Sequence, residues 1–242
     1  MTTPHLSGRI ALVTGASRGI GRAASLALAR AGAHIVAIAR DVGRLEELDD
    51  AIRAEGGAAT LVPMDMKDFA AIDRAGKAIF DRWGKLDMLF GNAAILGTLT
   101  PLAHLAPSLW DEIFAINVTA NLRLIRAFDP LLRLSDAGRA LFVSSAVAHG
   151  GRPYWGGYAI SKAALESMVR VYAAELAGTT VRANILNPGP TRTDMRAAAM
   201  PGEDPMTLPA PEELTPLILE LLSPECDDNG ELFAFKRASA KA

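Results

Sequence analysis

The stretch Arg9-Ile10-Ala11-Leu12-Val13-Thr14-Gly15-Ala16-Ser17-Arg18-Gly19-Ile20-Gly21 decides the fold. Its first six residues form a nearly continuous apolar run without polar alternation. That pattern predicts a short strand covered on both sheet faces, as in a parallel sheet. Three glycines follow, and then an alanine–leucine pattern of helical period runs to Ala31, where Gly32 stops it. A glycine-rich turn between a first strand and a first helix suits a phosphate. Glycine lets the backbone come close, and the helix N-terminus offers unpaired N–H groups and a positive dipole end. The spacing is Gly15-x-x-x-Gly19-x-Gly21, not Gly-x-Gly-x-x-Gly. By itself the turn also reads as a tight strand–helix connection with no ligand.

Outward from this turn, strands and helices alternate. Strands are predicted over residues 33–39, 58–64, 86–90, 140–143, 180–186 and 231–235. Helices are predicted over 41–55, 67–83, 107–134, 159–177 and 211–222, the one over 107–134 unbroken. Such alternation demands a parallel sheet of about seven strands with right-handed crossovers. Residues 1–8 read as a frayed lead-in, and residues 191–209 show no strong period. No linker, repeat or low-complexity segment divides the 242 residues, so a single domain over 1–242 is the simplest organisation.

Half of the residues are apolar, enough for a sizeable core, and 25 basic residues against 27 acidic ones leave a net charge of −2. There is no basic stripe for nucleic acid and no polybasic tail for an anionic membrane. The single cysteine, Cys226, excludes an internal disulfide and fits a reducing compartment. The four histidines show no metal-ligand spacing, so no metal is expected. With neither a signal-peptide pattern nor a membrane-length apolar run, a cytoplasmic location is expected.

The stretch from Ser145 to Lys162 carries the chemistry. Tyr158 and Lys162 are four apart, so on a helix they share one face. A fixed ammonium beside a phenol favours phenolate and lowers a pKa that is otherwise near 10. Ser145 ends the apolar run after residue 140, where its hydroxyl can face that phenol. Tyr-x-x-x-Lys alone is short and common, and equally describes two helix-surface residues.

Together these motifs resemble the short-chain dehydrogenase/reductase family. Thr14-Gly15-x-x-x-Gly19-x-Gly21, Asp65, Asn92-Ala93, Asn117, Ser145, Tyr158-x-x-x-Lys162 and Asn187-Pro188-Gly189 stand in its order and spacing, over about residues 8 to 223. The resemblance implies a single-domain Rossmann-type doubly wound α/β fold and a nicotinamide cofactor. It assigns the pyrophosphate to Gly15, Gly19 and Gly21, further cofactor contacts to Ser17 and Ile20, the adenine to Asp65 and Met66, and the nicotinamide ribose to Asn92 and Ala93. Pro188, Gly189, Thr191 and Thr193 would cover the nicotinamide. Tyr158 would be the acid/base, and Lys162 would hold the ribose and lower the tyrosine's pKa. Ser145 would bind the substrate oxygen. Asn117 would anchor a water of the proton relay, or simply cap or bend its helix; Thr193 would alternatively cap the helix that follows it.

Where the second strand ends, an acidic residue would hold a ribose 2′-OH and repel a 2′-phosphate. The chain has Arg40 there and Arg18 in the glycine loop, which favours NADP(H) over NAD(H). Asp41, following Arg40, is a competing partner for it. Two departures stand out. Ala94 replaces a usual glycine and narrows the nicotinamide pocket. The C-terminal stretch from Asn229 also differs from the common family ending. Residues 195–205 resemble an uncharacterised bacterial subgroup.

The expected activity is carbonyl reduction or alcohol oxidation by hydride transfer. Residues 190–210 are expected to form a substrate loop, and Ile95, Leu96, Val147, Tyr154, Trp155, Met195 and Met200 an apolar pocket. A hydrophobic ketone, aldehyde or 3-oxoacyl thioester would suit it. His149 and Arg152 either meet a polar end of that substrate or are solvent-exposed loop residues. The alternative is a non-catalytic NADP-binding regulatory protein, against which the intact Asn117, Ser145, Tyr158 and Lys162 argue. Ile160, Ala164, Met168 and Val171 form a second apolar face on the Tyr158 helix. Either the following segment covers it, or it joins copies into a homodimer or homotetramer.

Overall fold

In the computed structural model, which describes residues 5–237, β1 (Ile10–Thr14), β2 (His34–Ala39) and β3 (Ala58–Pro63) build one half of the sheet. The other half comprises β4 (Met88–Gly91), β5 (Arg139–Val143), β6 (Arg182–Asn187) and β7 (Leu232–Ala234). All seven strands are parallel, in the order β3-β2-β1-β4-β5-β6-β7. The order reverses between β1 and β4. Connections leave these two strands in opposite directions, and a crevice opens beyond their carboxyl ends. Val13 lies beside Phe90, so the glycine turn after β1 meets Asn92 after β4.

Helices cover both faces. One layer holds α1 (Gly19–Arg30), α2 (Val42–Ala54) and α8 (Thr215–Leu221), with Leu28, Leu45, Leu48, Ile52 and Ile218 buried against the sheet. The other holds α3 (Phe69–Trp83), α4 (Pro107–Phe114), α5 (Ala120–Leu132) and α6 (Gly156–Glu175). Ile72, Leu124, Phe128, Leu165 and Val169 are buried there. Each such side chain contributes about 1.5–3 kcal/mol by leaving water. The central strands β1, β4 and β5 are buried at every position, as their unbroken apolar runs require. Asp41 and Asp68 start α2 and α3 by accepting from the Arg44 and Ala71 N–H groups.

Four expectations change. The helix over 107–134 is interrupted: Ala115–Thr119 forms a π-turn between α4 and α5. Residues 191–209 are not structureless, since α7 (Asp194–Ala199) starts there on Thr193, whose hydroxyl accepts from the Arg196 N–H at 3.2 Å. The helix over 211–222 begins as a 3₁₀ turn, Pro211–Leu214, before α8. The lead-in is not frayed at Leu6, which is buried and donates its N–H to the Ala31 carbonyl at 2.7 Å. Residues 1–4 of that lead-in, and 238–242 of the C-terminal tail, lie outside the described residues. Among the described residues no helix is long and apolar enough to cross a membrane.

Candidate active site

A cavity of about 600 Å³ fills the crevice at the carboxyl ends of the strands. The glycine turn forms one end. Gly15 has φ +65°, a region costly for any residue with a Cβ, and a Cβ there would stand 2.9 Å from Asn92 Nδ2. Ser17, Arg18, Gly19 and Ile20 also line this end. Gly21 does not. A Cβ on it would sit 2.2 Å from the Gly15 carbonyl, so its lack of one lets the helix close on the turn. The start of α1 has no side-chain cap, leaving its first N–H groups facing a glycine cradle. These features fit the pyrophosphate of a dinucleotide.

Thr14 ties this turn to the opposite wall. Its hydroxyl accepts from the Asn92 and Ala93 N–H groups, both at 3.0 Å, and donates to the Phe90 carbonyl at 3.3 Å. Asn92 returns a bond from Nδ2 to the Thr14 carbonyl at 2.9 Å. Arg40, Asp65 and Met66 line the far end of the cavity. Asp41 does not pair with Arg40: it caps α2 and lies 3.5 Å from the Arg44 guanidinium. Arg18 instead meets Asp194 at 3.1 Å, joining the glycine turn to α7. Pro188, Gly189, Thr191 and Thr193 close the roof.

Ser145, Tyr158 and Lys162 come together at the inner wall. Tyr158 lies in the first turn of α6 and Lys162 one turn on, both buried. The Lys162 ammonium donates to the Val143 carbonyl at 2.8 Å and lies 5.7 Å from the centre of the Tyr158 ring. Burial pushes the Tyr158 phenol up to about 12, and a hydrogen bond with Ser145 opposes that rise. Burial also pulls Lys162 down to about 8, opposed by the Glu166 carboxylate. The phenol thus stands above its ordinary value rather than below it: withdrawal from water dominates, and the opposing influence is the Ser145 hydrogen bond. At neutral pH the phenol holds its proton and the ammonium its charge.

Asn117 sits in the π-turn and does not line the cavity. Its amide accepts from the Ile95 N–H and donates to the Ile95 carbonyl, both at 2.9 Å, and donates to the Ser161 hydroxyl at 3.0 Å. The Asn117 carbonyl accepts from Asn121 Nδ2 at 2.9 Å. The side chain thus braces the wall that carries Ile95. Ile95, Leu96, Val147, Trp155 and Met195 line the remaining, largely apolar end, together with Ala94. Tyr154 is not among them. It is exposed, with φ +73°, and its carbonyl is held by the Thr100 N–H at 3.0 Å. Met200 packs behind, against the Trp155 cluster. Arg152 lies over the Trp155 ring, its guanidinium 4.9 Å from the ring centre. Sequence reasoning missed Ser144, Ala199, Pro211 and Glu212 on the wall, and Glu166 beside it. The Thr193-Asp194 pair was a readable helix start; the others are brought in by tertiary packing alone.

A strand-end crevice with a glycine cradle and a Ser–Tyr–Lys cluster, its tyrosine and lysine buried, defines a dinucleotide-linked oxidoreductase site. The comparisons agree. The model of the short chain dehydrogenase family matches residues 9–204, and this chain belongs to that family of NAD(P)-dependent oxidoreductases. It is 39% identical over 220 residues to the uncharacterized oxidoreductase YciK of Escherichia coli, spanning 90% of this chain and 87% of that protein. It is 35% identical over 198 residues to the 2,3-dihydro-2,3-dihydroxybenzoate dehydrogenase of Bacillus subtilis, spanning 81% of this chain and 75% of that one. A short chain dehydrogenase from Shigella flexneri, solved in complex with NADP, superposes with a TM-score of 0.92 at 38% identity, covering 96% of this chain and 99% of that one.

Proposed function

We propose that this chain is an NADP(H)-dependent carbonyl reductase, or the reverse alcohol dehydrogenase, with Tyr158 as its acid/base. The observation that carries this reading is the convergence of Ser145, Tyr158 and Lys162 on a cavity that runs from the glycine turn to an apolar end. The nicotinamide, when bound, supplies or takes the hydride. The chain's residues do the rest. Ser145 and Tyr158 hydroxyls hold the carbonyl oxygen and polarise it. Tyr158 then gives its phenolic proton to that oxygen. A phenol that stays protonated at neutral pH is suited to this donation. The Lys162 ammonium orients the ribose and stabilises the phenolate left behind. Asn117 keeps the Ile95 wall in place.

The absence of an acidic side chain at the end of β2, and the engagement of Asp41 with α2, leave Arg40 to meet a 2′-phosphate. Arg18 joins it by releasing Asp194. The apolar end, bounded by the 190–210 segment, favours a hydrophobic ketone, aldehyde or 3-oxoacyl thioester. The outer groove between α5 and α6 exposes Leu122 and Val171, and Ile160 is exposed on the same helix as Val171, which supports a homodimer or homotetramer built on that face. Light scattering after size exclusion checks it, and a clean monomer refutes it. The buried Cys226 thiol suits a cytoplasmic enzyme.

A panel of carbonyl compounds with NADPH and with NADH tests the activity. Turnover with NADPH is expected, at a kcat/KM about 10- to 100-fold above that with NADH, the scale of one or two charge-assisted contacts. Equal or better use of NADH overturns the cofactor choice. No turnover with tight NADPH binding favours a regulatory protein.

A further inference from the structure

Glu166 is a buried carboxylate that the chemistry above does not use. It stands on α6 one turn beyond Lys162, its side chain only 2% exposed. Three side chains converge on it. The Ser144 hydroxyl donates to Oε1 at 2.5 Å, His149 Nε2 lies 3.1 Å from Oε1, and Arg170 donates to Oε2 at 3.1 Å. Ser144 immediately precedes Ser145. His149 ends the 3₁₀ turn Ala146–His149 that immediately follows it. One carboxylate therefore grips both flanks of Ser145 and fastens them to the helix that carries Tyr158 and Lys162. Burying a carboxylate is costly unless it is paired, and Leu165 and Val169 on the same helix fill their buried positions with apolar groups. The arrangement calls for a reason beyond packing.

We propose that Glu166 is a positioning residue of the reaction: it fixes the Ser145 hydroxyl against Tyr158 and supplies a counter-charge one helical turn from the Lys162 ammonium. It acts through Ser144, His149 and Lys162 and does not line the cavity. The inference rests on the assignment of Ser145, Tyr158 and Lys162 above. The titratable and charged groups facing Glu166 are His149 from the turn after β5 and Lys162 and Arg170 from its own helix. The end of β5 presents only the Ser144 hydroxyl. The charged residue of β6, Arg182, turns instead to the carbonyls of Thr179, Val181 and Asp227.

The test uses the full chain and the variants Glu166→Gln, Glu166→Asp, Ser144→Ala and Tyr158→Phe. Two readouts are followed from about pH 6 to about pH 10, the range that spans the lysine's titration: kcat and kcat/KM with NADPH and 4-nitrobenzaldehyde, and NADPH affinity from tryptophan quenching. Glu166→Gln is expected to lower kcat about 10- to 100-fold, the scale found when a group orienting a reacting side chain is lost. It is also expected to move the alkaline limb of both profiles to lower pH, because the Lys162 ammonium loses the charge that opposes its burial. Ser144→Ala should lower kcat and leave that limb in place. Glu166→Asp should restore the limb but not the full kcat. Wild-type kcat and an unmoved limb in Glu166→Gln overturn the proposal. If that variant does not fold, wild-type kcat in both Ser144→Ala and His149→Ala overturns it. If the wild-type enzyme does not turn over the aldehyde, the NADPH-affinity profile decides alone, and an unmoved profile overturns it. An active Tyr158→Phe enzyme removes the underlying assignment as well; an inactive one beside a normal Glu166→Gln removes only the role of Glu166.

Discussion

At the amino ends of the strands, Asp87 and Arg139 are about as deeply buried as Tyr158 and Lys162 are at the carboxyl ends. The two pairs are treated differently. Asp87 accepts from the Ile10 N–H at 2.9 Å, Lys85 at 2.8 Å, Ser135 at 2.6 Å and Arg9 at 3.3 Å. Arg139 donates to the carbonyls of Gly138, Thr180, Ser223 and Pro224. Each charge is answered from within the chain, and the cluster sews the N-terminal strand, β4, β5 and the C-terminal segment together. At the other end the buried groups face open space. Burial displaces Tyr158 and Lys162 from their ordinary titration ranges, as it does Arg139, but Tyr158 and Lys162 line a cavity whereas Arg139 is enclosed by carbonyls of the chain. One edge uses buried charge to hold the fold; the other leaves it answerable to a ligand.

Three measurements separate the edges. Tyr158→Phe removes one hydroxyl at the carboxyl edge and should cut kcat about 10²- to 10⁴-fold, the usual value of a positioned proton donor. The melting temperature should stay near that of the wild type. A large loss of stability would break the contrast. Asp87→Ala should do the reverse. Leaving Arg9, Lys85 and the Ile10 N–H without their acceptor should cost about 3–5 kcal/mol and lower the melting temperature by about 10 °C. The fraction that remains folded should keep its kcat, and calorimetry with active-site titration measures both.

The smallest effect is the pH dependence of Lys162. Its folded pKa, about 8, lies below the unfolded value of 10.5. Between those values the unfolded chain holds more protons, so stability rises with pH across this window and levels off above it. Measured against Lys162→Met by chemical denaturation, the wild type should gain up to about 3 kcal/mol from the lower to the upper end. A falling difference would mean that Lys162 is stabilised as a cation.

Much of this was legible in the sequence because it is local. The strand–glycine–helix unit, the alternation that sets the sheet and the four-residue spacing of Tyr158 and Lys162 all depend on near neighbours. What escaped was set by distance or by burial. Ser144 and Glu166 meet only because β5 ends against α6, 22 residues on. The pKa of Tyr158 is governed by burial that no spacing reveals. Tyr154, expected in the apolar pocket, is turned outward by a left-handed backbone that its sequence does not announce. The π-turn was legible only as the alternative that Asn117 bends its helix, because apolar residues keep helical spacing on either side of it.

The residue inserted at the π-turn acts as a phase shift. Each residue turns an α-helix by about 100°, and a π-turn holds one residue more than the ladder needs. Upstream of it, α4 leans on α6; downstream, α5 packs along α3. A plain α-helix through Ala115–Thr119 would rotate one segment relative to the other by about that angle. The Ile95 brace and the α3 seam would then ask for incompatible settings of one rod. A deletion of a single residue here would therefore reach both the cavity wall and the core, although Asn117 does not itself line the cavity. The site's geometry is stored partly in the winding of a helix that stands behind it.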